Sequence, residues 1–207
     1  MILYGAPAAG KGTQCELLIK EFGYEIVSIG QLLRDARTPD TEIGRAIIES
    51  QDKGVLTPDY IVEDVIKNAL LNLKGKPVIM DGFPRSLKQA KFLDTVFDNY
   101  IVININVDED VALKRTLGRV TCSGCGKIYN KYVKEMMPKN EGVCDVCNGE
   151  LLGRSDDNEK SFKTRFEVYQ ENVKSILDYY DKKGVLNVIN SKDTPDETFL
   201  ELKKVIG

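Results

Sequence analysis

The chain has 207 residues, enough for one domain of ordinary size with a real core and room for small insertions. Its net charge of −3 gives no basic footprint for a polyanion, and no apolar run approaches the length of a membrane span. It contains no histidine, which excludes Ser-His-Asp, Cys-His and histidine–metal chemistry together.

The first apolar run, Met1-Ile2-Leu3-Tyr4, leads into Gly5-Ala6-Pro7-Ala8-Ala9-Gly10-Lys11-Gly12-Thr13-Gln14 and then an amphipathic stretch, Cys15–Lys20. Strand, glycine loop and helix in that order form the setting of a phosphate-binding loop. Glycines let backbone N–H groups approach an anion, and a helix starting near Lys11 adds its positive dipole end. A plain glycine turn is the alternative. The general motif has Ser or Thr directly after the lysine; here Gly12 intervenes before Thr13. A strand beginning at Met1 leaves no room for a targeting segment, so a cytoplasmic protein is expected.

Further strands are expected at Glu25–Ser28, Val78–Met80, Tyr100–Val107 and Val185–Asn190, with helices at Ile61–Leu73, Leu87–Phe97 and Glu159–Lys183. The alternation predicts an α/β fold: a doubly wound, five-stranded parallel sheet with helices on both faces. Ligands of such sheets bind outside the C-terminal strand ends. Residues 29–57 read as short helices without a strand, and 118–157 as a Gly-, Cys- and Lys-rich stretch. Both read as insertions that close over the site. Asp81 ends the third strand, where it can order the water shell of Mg²⁺ or cap the next helix.

Cys122-x-x-Cys125 and Cys144-x-x-Cys147 offer four thiolates on two tight turns, a tetrahedral set suited to structural Zn²⁺. Disulfides are the competing reading, disfavoured without a secretion signal. Cys15 reads as a buried small hydrophobe.

Together these motifs resemble the nucleoside monophosphate kinases, and within them the adenylate kinase family with a zinc-bearing lid. Gly5–Gln14 is similar to that family's phosphate loop, and Asp81-Gly82-Phe83-Pro84-Arg85 to its second signature. Ser28-x-Gly30-x-x-x-Arg34 and Gly54–Asp59 resemble the start and end of the AMP arm. Arg115–Arg119 and Arg154-Ser155-Asp156-Asp157, with Arg165, resemble the entry to and exit from the lid.

The resemblance implies core segments at 1–28, 58–117 and 158–207, an NMP-binding insertion at 29–57 and a zinc lid at 118–157. It implies reversible transfer from MgATP to AMP giving two ADP, by a monomer with no nucleic-acid or membrane partner. Lys11, Asp81, Arg85, Arg119, Arg154 and Arg165 take the catalytic positions. ATP falls to Ala8, Ala9, Gly10, Lys11, Gly12, Thr13, Arg115, Arg119, Tyr129 and Lys192. AMP falls to Ile29, Arg34, Val55, Leu56, Thr57, Gly82, Phe83, Pro84, Arg85, Gln89, Arg154 and Arg165, with Gln89 reading the adenine. Arginine suits the work, because its planar fork binds phosphate oxygens bidentately and stays charged.

Three departures from the family pattern stand out. Ala8 replaces a glycine, Ile29 a threonine beside the AMP base, and Gln31 an aspartate that helps order the Mg²⁺ waters. A UMP/CMP-type kinase of the same family is the alternative. From other classes, a regulatory GTPase lacks its Asn-Lys-x-Asp motif here. A nucleic-acid-binding zinc ribbon needs a basic face, whereas residues 118–157 hold six Lys/Arg against six Asp/Glu.

Overall fold

The computed structural model describes residues 1–52, 57–73, 75–154 and 157–207, the side chains of Gln51 and Asp52 excepted. In chain order its elements begin with β1 (Ile2–Gly5), α1 (Lys11–Phe22), β2 (Glu25–Ser28), α2 (Ile29–Asp35), α3 (Glu42–Asp52) and α4 (Asp59–Leu71). Next come β3 (Val78–Asp81), α5 (Leu87–Leu93), β4 (Val102–Asn106) and α6 (Glu109–Gly118). The remainder is β5 (Arg119–Cys122), β6 (Ile128–Asn130), β7 (Leu151–Gly153), α7 (Glu159–Lys182), β8 (Leu186–Asn190) and α8 (Pro195–Ile206).

The five expected strands form one sheet in the order β2-β3-β1-β4-β8. β1 and β2 each pair parallel with β3, in registers Ile2↔Met80 and Val27↔Met80. From β1 the chain runs out to β2, returns through β3, then crosses β1 to reach β4. The order therefore reverses at β1, and the phosphate loop follows that strand. Val102, Ile103, Asn104 and Ile105 are all buried, the continuous pattern of a strand covered on both faces. The helix expected over Leu87–Phe97 stops at Leu93 and continues as turns.

Two compact units can be described separately. The first comprises Met1–Tyr4, Cys15–Ile103 and Asn172–Asn187. Its core gathers Ile2, Val27, Ile66, Met80, Phe83, Leu93, Ile176 and Tyr180 among others. The second comprises Gly5–Gln14, Asn104–Glu171 and Val188–Gly207. It holds an antiparallel sheet of order β6-β5-β7, where Val120 faces Tyr129 on one side and Gly153 on the other. The sequence reading expected no strands there. Strands of three or four residues are too short to show a period of two. α8 opens with a capping box, Thr194 and Glu197 satisfying each other's backbone N–H, and Pro195 in the first turn.

In the first unit, Asp94 just beyond α5 accepts hydrogen bonds from the Tyr100 and Tyr179 hydroxyls and from Lys183 Nζ. Burial opposes its charge, but these donors outweigh it and hold the carboxyl below its ordinary value. A depressed carboxyl stabilises the fold above its unfolded pKa, and the contribution is lost as pH falls through the folded one. Asp94→Ala should therefore lower stability by about 2–3 kcal/mol at pH 7. In urea unfolding at successive pH values, the gap to wild type should shrink below pH ~4. A gap independent of pH would contradict the assignment.

Candidate active site and metal centre

The phosphate loop lies in the second unit. A Cβ on Gly5 would fall 2.7 Å from the Ile105 carbonyl oxygen, so only glycine lets the loop leave β1 against β4. Ala8 adopts φ +58°, a left-handed conformation that glycine takes without penalty and alanine does not. Ala9 is buried and Gly10 carries φ +97°. Lys11, Gly12 and Thr13 form the first turn of α1, and Lys11 Nζ donates to the carbonyls of Gly5 (2.7 Å) and Ala6 (2.9 Å). The lysine thus spans the loop it belongs to.

The second unit also carries a set of cations. Arg115 donates to Ser191 Oγ and to the Lys192 carbonyl, both at 2.6 Å, while the Lys192 side chain is exposed. Arg119 forks onto Asp157 through Nε (2.7 Å) and a terminal nitrogen (2.5 Å). Arg165 reaches the same carboxylate at 3.5 Å. Asp157 is only 3% exposed; burial works against its charge, and Arg119, Arg165 and Arg154 more than offset it, lowering its pKa. Arg154 itself is exposed.

The first unit carries the other set. Ser28 Oγ donates to Asp81 at 3.4 Å, and Arg85 Nε to the Gly82 carbonyl at 3.0 Å. Phe83 and Pro84 between them are buried. Gln89 is 3% exposed and engaged at both ends: its Oε1 accepts from Arg85 N–H (2.7 Å), its Nε2 donates to Asp59 (2.8 Å). The adenine-reading role expected for Gln89 therefore shares its amide with a second task, holding the backbone of Arg85. Gln31 accepts from Arg34 at 2.7 Å and donates to Asp35 at 2.6 Å, so the aspartate replacement aims Arg34 along α2. Thr57 pairs with Ser50 at 3.2 Å. Ile29, expected beside the AMP base, is buried in the core with Val27 and Phe83. Val55 and Leu56, like Gly54, Ser155 and Asp156, lie outside the described residues.

The four lid cysteines bring their sulfurs within 4.8 Å of one another, with Cys122–Cys147 at 3.4 Å and Cys125–Cys144 at 3.6 Å. A tetrahedron of thiolates at Zn–S ≈ 2.3 Å has edges of about 3.8 Å, so the set fits. A Cβ on Gly149 would meet Cys122 Sγ at 2.9 Å, and one on Gly124 Cys147 Sγ at 3.3 Å, so glycines make room for the sulfurs. None of the cysteines forms a disulfide, and Cys15 is buried as expected. The cluster can hold a structural zinc. Tyr129, expected at ATP, is buried beside Cys144 in this cluster.

Residues 3–185 match the family model described as adenylate kinase. The chain belongs to the adenylate kinase family. It is 40% identical to an adenylate kinase of Caldicellulosiruptor bescii, covering all of this chain and 98% of that protein. It is 41% identical to one of Desulforamulus reducens over 92% of this chain and 91% of the other. An adenylate kinase of Halobacterium salinarum is 37% identical across the whole chain and 95% of its own length.

Two residues bonded to expected site residues, Asp59 and Asp157, were given no role of their own by the sequence. Asp59 lies among many polar residues, with no spacing to distinguish it. Asp157 had a signal, an acid three residues after Arg154 in a motif otherwise about cations. The left-handed alanine makes a direct test of the phosphate loop. Ala8→Gly should raise stability by about 1 kcal/mol, because the native φ then costs nothing. Chemical denaturation of both proteins measures it; an unchanged or earlier midpoint would show that the loop carries no such strain.

Proposed function

We propose that this chain catalyses reversible phosphoryl transfer from MgATP to AMP, giving two ADP. The observation that carries the reading is the phosphate loop opening α1 in the same unit as Arg119 and Arg165 held on one buried carboxylate. Transfer needs little covalent chemistry from the protein; it needs cations placed where negative charge builds up. Lys11 and the loop N–H groups bind the donor phosphates, with Arg115 and the 191–192 backbone on the donor's base side. Arg119 exchanges Asp157 for phosphate oxygens, keeping the planar fork it already forms with a carboxylate, and Arg165 and Arg154, whose charges also act on Asp157, join it on the phosphates. Arg34 and Arg85 bind the AMP phosphate, and Gln89 fixes Arg85 while presenting its remaining amide capacity to adenine.

Mg²⁺ arrives with ATP and neutralises phosphate charge, and Asp81 is the carboxylate suited to its water shell. Residues 29–57 serve as the AMP arm and 118–157 as the lid, whose closure excludes water as a competing acceptor. The reading carries with it a monomer acting in the cytoplasm, with nucleotides rather than nucleic acid or membrane as partners. Among the described residues no helix is long and apolar enough to cross a membrane.

The four monophosphates AMP, GMP, CMP and UMP, each assayed with MgATP, decide the acceptor. AMP should lead by at least tenfold in kcat/KM, since bidentate amide pairing discriminates by roughly 1–3 kcal/mol. Gln89→Ala should lower kcat/KM for AMP by a factor on the order of 10–100. Arg119→Ala should lower kcat on the order of 10³-fold. A tenfold preference for CMP or UMP would point to the UMP/CMP type instead.

A further inference from the structure

The thiolate cluster is ringed by hydrogen-bond donors, and one of them is a side chain. Gly124 and Cys125 direct their N–H groups to Cys122 Sγ at 3.3 and 3.5 Å, and Val146 directs its own to Cys144 Sγ at 3.4 Å. These come from the backbone of the two turns. The Tyr129 hydroxyl, by contrast, reaches Cys144 Sγ at 3.4 Å from the neighbouring strand β6. The same oxygen accepts the Asp145 N–H at 2.8 Å. A phenol has a single proton, and with its oxygen engaged as an acceptor that proton is directed to the sulfur. Tyr129 is 3% exposed and Cys144 fully buried, so water does not compete for either. The ring is fixed from both sides, packed with Val120 and Leu151 and covered by Lys127 Nζ at 5.4 Å from its centre.

We propose that Tyr129 is a positioning residue for the lid metal, its hydroxyl donating to the Cys144 thiolate and fixing that ligand for zinc. Four thiolates around a dication leave an excess of negative charge, and Cys144 is a ligand with no solvent to disperse it. An O–H donor at that sulfur lowers its charge density and sets its direction at once. Partners of this kind typically change metal affinity 10–100-fold. The inference rests on the four cysteines holding zinc, and it gives the Tyr129 side chain a role apart from the ATP contact that the family resemblance assigns to this residue.

The test uses the full chain loaded with one zinc, as wild type and as Tyr129→Phe, mixed with excess 4-(2-pyridylazo)resorcinol. Zinc release, read by the colour of the chelate, should be 10–100 times faster from the variant. With cobalt(II) in place of zinc, the thiolate-to-cobalt charge-transfer band should move to longer wavelength in the variant, because an unbonded sulfur gives up its electrons more easily. The cobalt spectrum reads the sulfur directly, whatever happens to release kinetics or lid stability. Equal release with an unshifted band overturns the proposal. A raised KM for ATP with unchanged release returns Tyr129 to the nucleotide. Wild type that binds no zinc at all removes the premise, and does so without touching the phosphoryl-transfer reading.

Discussion

Cations gathered to receive a polyanion repel one another before it arrives. That constraint explains much of the second unit. Arg119 and Arg165 would be unfavourable neighbours without a counter-charge, and the buried Asp157 supplies one in the fork geometry that a phosphate also offers. Arg115 is handled differently, its guanidinium satisfied by Ser191 Oγ and a backbone carbonyl instead of an acid. Lys11 folds onto the carbonyls of its own loop. Each cation is thus held by a partner, and in the proposed reaction a phosphate replaces that partner with little rearrangement.

The first unit treats its polar groups in the same economical way, but through amides. Gln89 ties the Arg85 backbone to Asp59 at the start of α4, and Gln31 ties Arg34 to Asp35. Arginines on short loops and short helices have long, mobile side chains. Fixing them through neutral amides avoids neutralising the charge that the site is there to supply.

Residues 118–157 solve a different problem. Strands of three and four residues cannot hold a sheet together by their own burial. The segment's small core, Val120, Cys122, Tyr129, Cys144 and Leu151, contains two of the four sulfurs, so a metal held by the four would stabilise its fold directly. A tyrosine hydroxyl, which would be a liability in so small an apolar cluster, finds its partners in a sulfur and a turn N–H.

Much of this was legible in the residues in order. The strand–glycine loop–helix at Gly5–Gln14, the five apolar runs and the paired cysteines depend on local spacing, and local spacing survives in a linear string. The strand order and the antiparallel sheet of the lid were not, because both depend on which short segments meet. Nor were the partners of the site residues. That Gln89 holds Arg85, that Ile29 turns inward, and that Tyr129 faces Cys144 are decided by side-chain direction and competing burial. The sequence by itself determined which groups are present and which chemistry they can carry. Only the tertiary structure decided which of them face one another, because hydrogen bonds and packing act through space between residues far apart in the chain.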